Sequence, residues 1–361
     1  DSLKINNIFF VFTKTDLLNS SIDRGFLEKK LNSNKLINYT IEEFSYKTSD
    51  LRMFQKKIVD FFKSDTSENP NSLWIDRSFT KDGIGKVITG TASMAFDLNK
   101  IYLARTNKLL EVKEIRNTEN IVKNTTTTSR IAISLKKNIQ DKIGRGDLLT
   151  NEIVFSGKYI FAITDKQASK FNKKGSNRLF IGTKNQIVKK LEVVNNSEKI
   201  LIFMELPNNL PILENQKILI QNLVSNEFMG GKIAFASNNN NLVKKFFKEL
   251  RKTESINLEK TFTLLPENLI ENSRDYINIA NKYLSKGRLE SIIKKINENI
   301  ETINSVGVKN YFYNEFFIEH NYLDELINKI DGFNIINNQL IIDKNTEVDL
   351  EVYQNIIDQI S

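Results

Sequence analysis

The segment from Ile75 to Ala92 limits the possible folds of this chain more than any other stretch of the sequence. It reads as two apolar strands on either side of a short turn that contains Gly83 and Gly85. Glycine accepts the positive φ angles of a tight turn, and Gly90, inside the second strand, leaves room for another strand to approach closely. The segment therefore predicts an antiparallel hairpin at the start of a β domain.

Short strands continue from this hairpin to about residue 237. Apolar runs follow one another at intervals of roughly 8–15 residues, with Gly, Asn and Asp between them. Such spacing is typical of antiparallel sandwiches and barrels, and the length is sufficient for two of them. We therefore predict two antiparallel β-barrels, one over residues 72–152 and one over residues 153–237.

Residues 1–66 instead alternate between strand and helix. Asn7–Phe12 is a continuous apolar run of the kind buried in a parallel sheet, and Tyr39–Ser45 is predicted to be a second strand. Helical patterns follow the two strands, over Asp23–Asn32 and Leu51–Phe62. Because two strands are too few to complete a parallel sheet, this region predicts only part of an α/β domain.

After Asn238–Asn241 the pattern becomes helical, and we predict an α-helical and winged-helix region over residues 242–361. A helix around Leu323–Ile330 precedes two apolar strands within Phe333–Asp343. Asparagine tolerates positive φ angles, so Asn337-Asn338 predicts a two-residue hairpin turn, and a helix followed by a hairpin is the outline of a winged helix. Three further helices are predicted, over Leu242–Lys252, Ser273–Leu284 and Arg288–Ile303.

Composition excludes several chemistries. The 361 residues contain no Cys and one His, His320, so thiol catalysis, thiolate metal sites and sites with two imidazoles are excluded. A net charge of +8 and an isoelectric point near 9.2 favour an anionic partner, nucleic acid before membrane, although a Lys-rich coding bias explains the excess equally well. No apolar run has the length of a membrane-spanning helix.

A short polar motif follows each strand of the N-terminal region, Thr13-Lys14-Thr15-Asp16 after the first and Ser45-Tyr46-Lys47 after the second. They resemble the guanine-binding motifs of P-loop GTPases, [Asn/Thr]-Lys-x-Asp and Ser-Ala-Lys. The resemblance implies that the Asp16 carboxylate accepts hydrogen bonds from guanine N1–H and N2–H₂ and that the Lys14 stem covers the base. In the second motif, a backbone N–H would read guanine O6 and the serine would order the loop. The implied GTP-binding residues are Thr13, Lys14, Asp16, Ser45 and Tyr46.

The phosphate-binding half of a GTPase is missing from the sequence. There is no G-x-x-x-x-G-K-[ST] loop and no D-x-x-G followed by a water-positioning residue. In GTPases these parts precede the first guanine motif, so we expect an N-terminally truncated copy. Mg²⁺ binding and hydrolysis would then depend on the missing part, and we predict no catalytic residue and no metal ligand in this chain.

The hairpin segment resembles the D-R-x-F…G-x-G-x-V-x-T-G-T opening of the second domain of translational GTPases. With threonine at Thr13, the details resemble the bacterial selenocysteine-specific elongation factors (SelB type). Gln221 and Asn222 depart from the family's pattern. The resemblance continues through Ser129–Ser134, Ile143–Leu149 and Asn215–Ile233.

This resemblance implies a cytoplasmic monomer that binds GTP and selenocysteinyl-tRNA and delivers the tRNA to the ribosome at stop codons recoded by an mRNA hairpin. It also implies an aminoacyl pocket formed by Asp76, Arg77 and Arg130. A selenol is much more acidic than a serine hydroxyl and is an anion at neutral pH, so paired guanidinium groups could distinguish the two. Asp76 would hold one arginine in place.

Two alternatives stay open. One is another tRNA-carrying translational GTPase, of the general elongation or initiation type, although the general elongation factor lacks an appended helical region. The other is a non-enzymatic RNA-binding protein with a degenerate GTPase remnant.

Two further features have a structural and a functional interpretation. The lysines of Lys170–Lys174, Lys189-Lys190 and Lys244-Lys245 could contact RNA phosphates, but a solvated face is the favoured interpretation. The aromatic stretch Tyr311–Phe317 is expected to pack between helices rather than to stack on bases.

Overall fold

The computed structural model divides into two compact units, which we describe separately. The first comprises Asp1–Ser156, Lys170–Lys189 and Asn209–Ile233, and the second Gly157–Ser169, Lys190–Asn208 and Ala234–Ser361. The predicted helix end at Phe62 and strand end at Asp343 lie outside the described residues. The structure describes residues 7–17, 23–33, 38–61, 71–93, 96–97, 99–117, 120–122, 128–136, 142–165, 171–195, 199–213, 215–252, 262–266, 270, 273–280, 282–330 and 332–342.

The first unit begins with the two βα units that the sequence predicts. Strand β1 (Asn7–Thr13) pairs in parallel with β2 (Asn38–Phe44) over their whole length. Helix α1 (Arg24–Ser33) connects the strands, and α2 (Leu51–Phe61) follows the second. Phe9 in β1 packs edge-to-face against Phe61, with ring centroids 5.4 Å apart, so aromatic contacts hold α2 on the strands.

An eight-stranded antiparallel sheet follows, with strand order β6-β5-β10-β3-β4-β9-β7-β8. The predicted hairpin forms β3 and β4, and its turn places Gly83 at φ +76° and Gly85 at φ +97°. A Cβ at Gly90 would lie 2.5 Å from the Trp74 carbonyl oxygen, so the close approach predicted for this glycine is confirmed. The strands are β3 (Ser72–Lys81), β4 (Gly85–Ala92), β5 (Tyr102–Leu103), β6 (Lys108–Leu109), β7 (Val112–Asn117), β8 (Asn120–Ile121), β9 (Ser129–Leu135) and β10 (Leu148–Thr150).

A seven-stranded antiparallel sheet comes next, with strand order β13-β12-β16-β17-β11-β15-β14. Both large sheets curl into half-barrels, which confirms the predicted sequence of a partial α/β domain, two antiparallel barrels and a helical region. The strands are β11 (Ser156–Asp165), β12 (Asn177–Ile181), β13 (Lys184–Val188), β14 (Lys190–Asn195), β15 (Lys199–Pro211), β16 (Lys217–Asn222) and β17 (Phe228–Ser237).

Within the first unit, the β12–β13 turn lies directly against β3. Gly182 in this turn has φ +53°, and a Cβ on it would lie 2.2 Å from Cδ2 of the Trp74 indole. The Thr183 hydroxyl donates a hydrogen bond of 2.6 Å to the Ile75 carbonyl oxygen. The contact between the two half-barrels therefore requires a residue without a side chain at position 182.

The second unit contains the helical region that the sequence predicts, except that one predicted helix is replaced by strands. As a separate finding, no helix in the described part of the chain is long and apolar enough to cross a membrane. The elements of the helical region are α3 (Asn240–Lys252), β18 (Leu265–Pro266), β19 (Tyr276–Ile279), β20 (Lys282–Ser285), α4 (Lys286–Val306), α5 (Val308–Tyr311) with a π-helical turn over Phe312–Phe316, α6 (His320–Asn328), β21 (Phe333–Ile336) and β22 (Gln339–Ile342).

The predicted helix over Ser273–Leu284 is wrong. After a short 3₁₀ turn, this stretch forms β19 and β20, which pair in antiparallel register. Ala280 in the connection has φ +47°, and its N–H donates a 2.8 Å hydrogen bond to the Glu325 carboxylate on α6. Ile279 and Leu284 are both buried in the core of the helical region, so tertiary packing overrides the local helical pattern.

The predicted Asn337-Asn338 turn is confirmed, with φ angles of +52° and +62° between β21 and β22. The hairpin is also attached to the helices behind it. The Val308 N–H donates to the Asn338 carbonyl oxygen at 3.1 Å. The Asn304 side chain bonds Leu340 twice, accepting from its N–H at 2.7 Å and donating to its carbonyl oxygen at 3.0 Å.

A cluster of phenylalanines joins α3 to strands of the seven-stranded sheet. Phe161 on β11 is fully buried, and its ring centroid lies 4.6–5.4 Å from those of four other phenylalanines. The π-helical turn makes a second aromatic core, because Phe312 and Phe316 are buried, which confirms packing rather than base stacking for these two. The four rings around Phe161 are those of Phe203, Phe235, Phe246 and Phe262.

Lys245 on α3 is half-buried beside two cations of α4, Arg288 and Lys295, and this environment makes stability depend on pH. Burial and these two charges lower its pKa from 10.5 to about 8, while Glu249 acts in the opposite direction. Between pH 8 and 10 the unfolded chain therefore binds a proton that the folded chain does not, so the free energy of unfolding should rise with pH.

We expect Lys245→Met to raise the free energy of unfolding at pH 7 by about 1 kcal/mol, after allowance for solvent screening, and to remove the rise above pH 8. Urea unfolding of both proteins at pH 7, 8, 9 and 10 measures this. If the two pH profiles run parallel, Lys245 does not carry the effect.

Candidate functional site

The two predicted guanine motifs meet at one edge of the β1–β2 pair. Because the strands are parallel, their carboxyl ends lie side by side, and Ser45 follows β2 where Asp16 follows β1. The buried Ser45 hydroxyl donates a 2.6 Å hydrogen bond to Asp16 Oδ1 and accepts one of 3.2 Å from the Lys47 N–H. Lys47 Nζ lies 3.6 Å from Asp16 Oδ2. The loops are thus linked through the Asp16 carboxylate.

The remaining three predicted residues of this site surround that link. Thr13 is the last residue of β1, and Lys14 turns the chain with a φ of +60°. The Lys14 carbonyl oxygen then accepts a 3.0 Å hydrogen bond from the Leu17 N–H, which closes the short turn that presents Asp16. Tyr46 is 87% exposed in the turn that follows β2. The structure therefore brings all five predicted residues to the same two loops.

The second predicted site forms around a β-bulge. The register of β3 against β4 shifts between Ile75 and Arg77, which makes Asp76 the extra residue of the bulge. A bulge redirects a side chain relative to a regular strand. The Asp76 carboxylate points toward β9, where Arg130 binds it with two hydrogen bonds of 2.5 and 3.0 Å. The Thr89 hydroxyl donates a third, of 2.8 Å.

These contacts keep Asp76 ionised. The hydrogen bond from Arg130 is the largest cause of a lowered Asp76 pKa, and it outweighs the opposing effect of burial. The Thr89 hydroxyl and the charges of Arg130 and Arg77 lower the pKa further. A bidentate arginine–carboxylate pair fixes the orientation of both side chains. Asp76 therefore holds Arg130 in one geometry.

Arg77 lies at an open cleft of about 770 Å³, beside the Asp76–Arg130 pair. Its guanidinium forms no hydrogen bond or ion pair with any residue that the structure describes, whereas Asp147 in the same cleft is bound by Arg105 at 3.0 Å. Three further cations, which the sequence did not assign to any site, also line the cleft: Lys86, Lys142 and Arg145. The cleft is lined by Asp76, Arg77, Ser78, Phe79, Lys86, Lys142, Ile143, Gly144, Arg145 and Asp147.

The charge of this cleft is suited to an anion. Arg77, Lys86, Lys142 and Arg145 supply positive charge, and the volume suits a group of small-molecule size. Among the described residues, no group of three or more His, Asp or Glu side chains is placed to hold a metal ion. Of the sequence signals, only the resemblance over Ile143–Leu149 included residues from this part of the cleft.

Comparison with solved structures shows which known fold this chain resembles. No protein-family model matches the chain, and no curated protein matches it. The crystal structure of the bacterial selenocysteine-specific elongation factor EF-Sec superposes on 99% of this chain and 65% of its own, with a TM-score of 0.61 and 18% identity. Translation elongation factor SelB from Methanococcus maripaludis, in complex with the GTP analogue GPPNHP, covers 64% of this chain and 60% of its own, with a TM-score of 0.51 and 19% identity.

This chain spans less than two thirds of the length of either structure. At such low identities the likeness establishes the fold. Along nearly its whole length, this chain has the multidomain fold of the bacterial selenocysteine-specific elongation factor.

Proposed function

We infer that this chain is the tRNA-carrying part of a selenocysteine-specific translation elongation factor. In this role it binds GTP and selenocysteinyl-tRNA and delivers the tRNA to the ribosome at a stop codon recoded by an mRNA hairpin. The observation that carries the proposal is the Asp76–Arg130 pair beside Arg77 at an open cationic cleft, in a chain with this fold. We place the activity in the cytoplasm and in a monomer.

The arrangement accounts for selection between selenocysteine and serine. A selenolate is an anion, and Arg77 at the cleft and Arg130 beside it supply two guanidinium groups. Because Asp76 fixes Arg130, little side-chain freedom is lost when the anion binds. A neutral serine hydroxyl forgoes a charge-assisted hydrogen bond of about 1.5–3 kcal/mol, which corresponds to a preference of roughly 10–100-fold.

The linked loops at Asp16 and Ser45 support guanine recognition. The Asp16 side chain keeps 16% of its surface exposed, and the Ser45 bond holds it at the strand ends, where a base can approach. The SelB structure with a bound GTP analogue supports the same assignment. This chain's own residues supply base recognition, since its sequence lacks a phosphate loop.

A winged-helix role in binding the mRNA hairpin is proposed for the end of the chain. The order of α4, α5 and α6 followed by the β21–β22 hairpin supports it. This appended region also favours a selenocysteine-specific factor over the general elongation type.

The test is selectivity between selenocysteinyl- and seryl-tRNA carrying the same tRNA body. In the full protein with GTP, Arg77→Ala and Arg130→Ala should each reduce the affinity ratio about 10-fold or more, because each removes a charge-assisted contact to the selenolate. Arg130→Lys should reduce the affinity ratio by a smaller factor, since lysine keeps the charge without the bidentate geometry.

Arg116→Ala is the matched control. It removes a guanidinium from β7 of the same sheet, where Arg116 pairs with Glu114, and should leave the ratio unchanged. Unchanged selectivity in both Arg77→Ala and Arg130→Ala would contradict the pocket assignment.

A further inference from the structure

Two lysine clusters that are far apart in the sequence meet in one cleft of the second unit. Lys190 begins β14, and Lys244 lies on α3, 54 positions later. Together they border a cleft of about 580 Å³, which we call the α3 cleft. It is lined by Lys190, Val243, Lys244, Phe247, Lys248 and Arg251.

The cations from α3 lie on one face of the helix. Lys244, Lys248 and Arg251 are spaced i, i+4 and i+7, a spacing that aligns side chains along one stripe. At a rise of about 1.5 Å per residue, the stripe is about 10 Å long. The same length of a nucleic acid duplex carries about six phosphate charges, so the stripe has the dimensions to contact a phosphate backbone.

The fourth cation is held by an aromatic ring at the base of the cleft. Lys190 Nζ lies 3.5 Å from the centroid of Phe247, a cation–π contact. Phe247 packs edge-to-face against Phe203 at 5.1 Å and Phe246 at 5.2 Å, and both of those rings are buried. The base of the cleft is therefore part of the aromatic core, and Lys190 is placed before any ligand arrives.

Acidic side chains do not neutralise the α3 cleft. None of its lining residues is acidic, and its four cations form no ion pair with a residue that the structure describes. Glu205 lies opposite Lys190 in the strand register, but its carboxylate binds Lys158 at 3.2 Å. Glu249 on α3 interacts with Lys245, outside the cleft.

We propose that the α3 cleft binds the phosphate backbone of an RNA duplex, without reading its sequence. A membrane surface fits less well, because a helix lying in a membrane interface exposes large apolar side chains, and no large apolar side chain of α3 is exposed. The choice of RNA among polyanions rests on the proposed function, in which the protein carries tRNA and meets mRNA. Phosphate contacts position such a ligand and contribute affinity that depends on salt.

Lys244→Gln/Lys248→Gln tests the proposal against an RNA duplex of about 16 base pairs and arbitrary sequence. At 100 mM KCl we expect affinity to fall about 10-fold. The slope of log K against log salt concentration should become shallower by about 1.8, since each lost phosphate contact accounts for about 0.9. The charge-conserving Lys244→Arg/Lys248→Arg should bind as the unchanged protein does.

The control removes two exposed lysines from elsewhere, in Lys56→Gln/Lys113→Gln, and should change affinity less than 2-fold. Equal affinity and slope in the α3 variant and this control would overturn the proposal. So would a loss of binding to phosphatidylserine vesicles in the α3 variant without a loss of RNA binding.

Failure of the RNA-binding proposal can be told apart from failure of the proposed function by measuring tRNA selectivity in the same variant. The α3 variant should weaken selenocysteinyl- and seryl-tRNA alike and leave their ratio intact. An unchanged RNA affinity together with an intact ratio would reject the cleft alone.

Discussion

Replacing Gly182 with alanine should lower the free energy of unfolding by about 3 kcal/mol, from backbone strain and overpacking together. Two independent constraints act on this residue. Its φ of +53° is costly for any residue with a Cβ, and the added methyl group would lie 2.2 Å from the Trp74 indole. The indole cannot withdraw easily, because the neighbouring Thr183–Ile75 hydrogen bond holds the turn against β3.

Urea unfolding measures this loss, and two further proteins separate its causes. Gly83 also has a positive φ, of +76°, but nothing lies within 4 Å of its Cβ position, so Gly83→Ala should cost only the backbone part, about 1 kcal/mol. In a Trp74→Ala background, Gly182→Ala should likewise cost about 1 kcal/mol, because the clash is gone. Equal losses for Gly83→Ala and Gly182→Ala in the unchanged background would show that the indole does not restrict the turn.

Phe161→Ala is expected to lower the free energy of unfolding by about 4 kcal/mol. The fully buried ring touches four other phenylalanines, and truncation leaves a cavity among rings that are already close-packed. Among them Phe246 belongs to α3, at 5.4 Å, so the attachment of this helix is weakened as well.

The same urea experiment tests this prediction, with Phe228→Ala as its control. Phe228 is 46% exposed, and its removal should cost less than about 1 kcal/mol because little buried contact is lost. A loss for Phe161→Ala no greater than that for Phe228→Ala would mean that the aromatic cluster does not stabilise the fold.

Sequence patterns predicted the parts of the fold that depend on neighbours along the chain. The apolar run of β1, the turn with Gly83 and Gly85, and the turn at Asn337-Asn338 each contain their own structural signal. Such local signals persist in the folded protein when the surrounding packing agrees with them.

The helix predicted over Ser273–Leu284 shows the opposite case. Its apolar spacing is compatible with a helix, but Ala280 is held at a positive φ by Glu325, a residue 45 positions later. No window of local sequence contains that contact, so the strand pair could not be predicted from this segment alone.

The candidate sites divide in the same way. The resemblance to GTPase motifs assigned Asp16 and Ser45 to one guanine site, and the hydrogen bond between them agrees with that assignment. The bulge that turns Asp76 toward Arg130 has no signal in the sequence, because it is a property of strand pairing. The meeting of Lys190 with Lys244 depends on how α3 packs, and sequence alone favoured a solvated face for both.

The attachment of the β21–β22 hairpin has a consequence for how related sequences can differ in length. The Asn338 carbonyl oxygen is hydrogen-bonded to the start of α5, and the Asn304 side chain is hydrogen-bonded to β22. These bonds fix the distance between the hairpin turn and the end of α4. An insertion at the tip would move Asn338 away from Val308, and a deletion in α4 would rotate Asn304 by about 100° away from Leu340. Insertions and deletions in relatives that keep this hairpin should therefore avoid both the hairpin tip and α4.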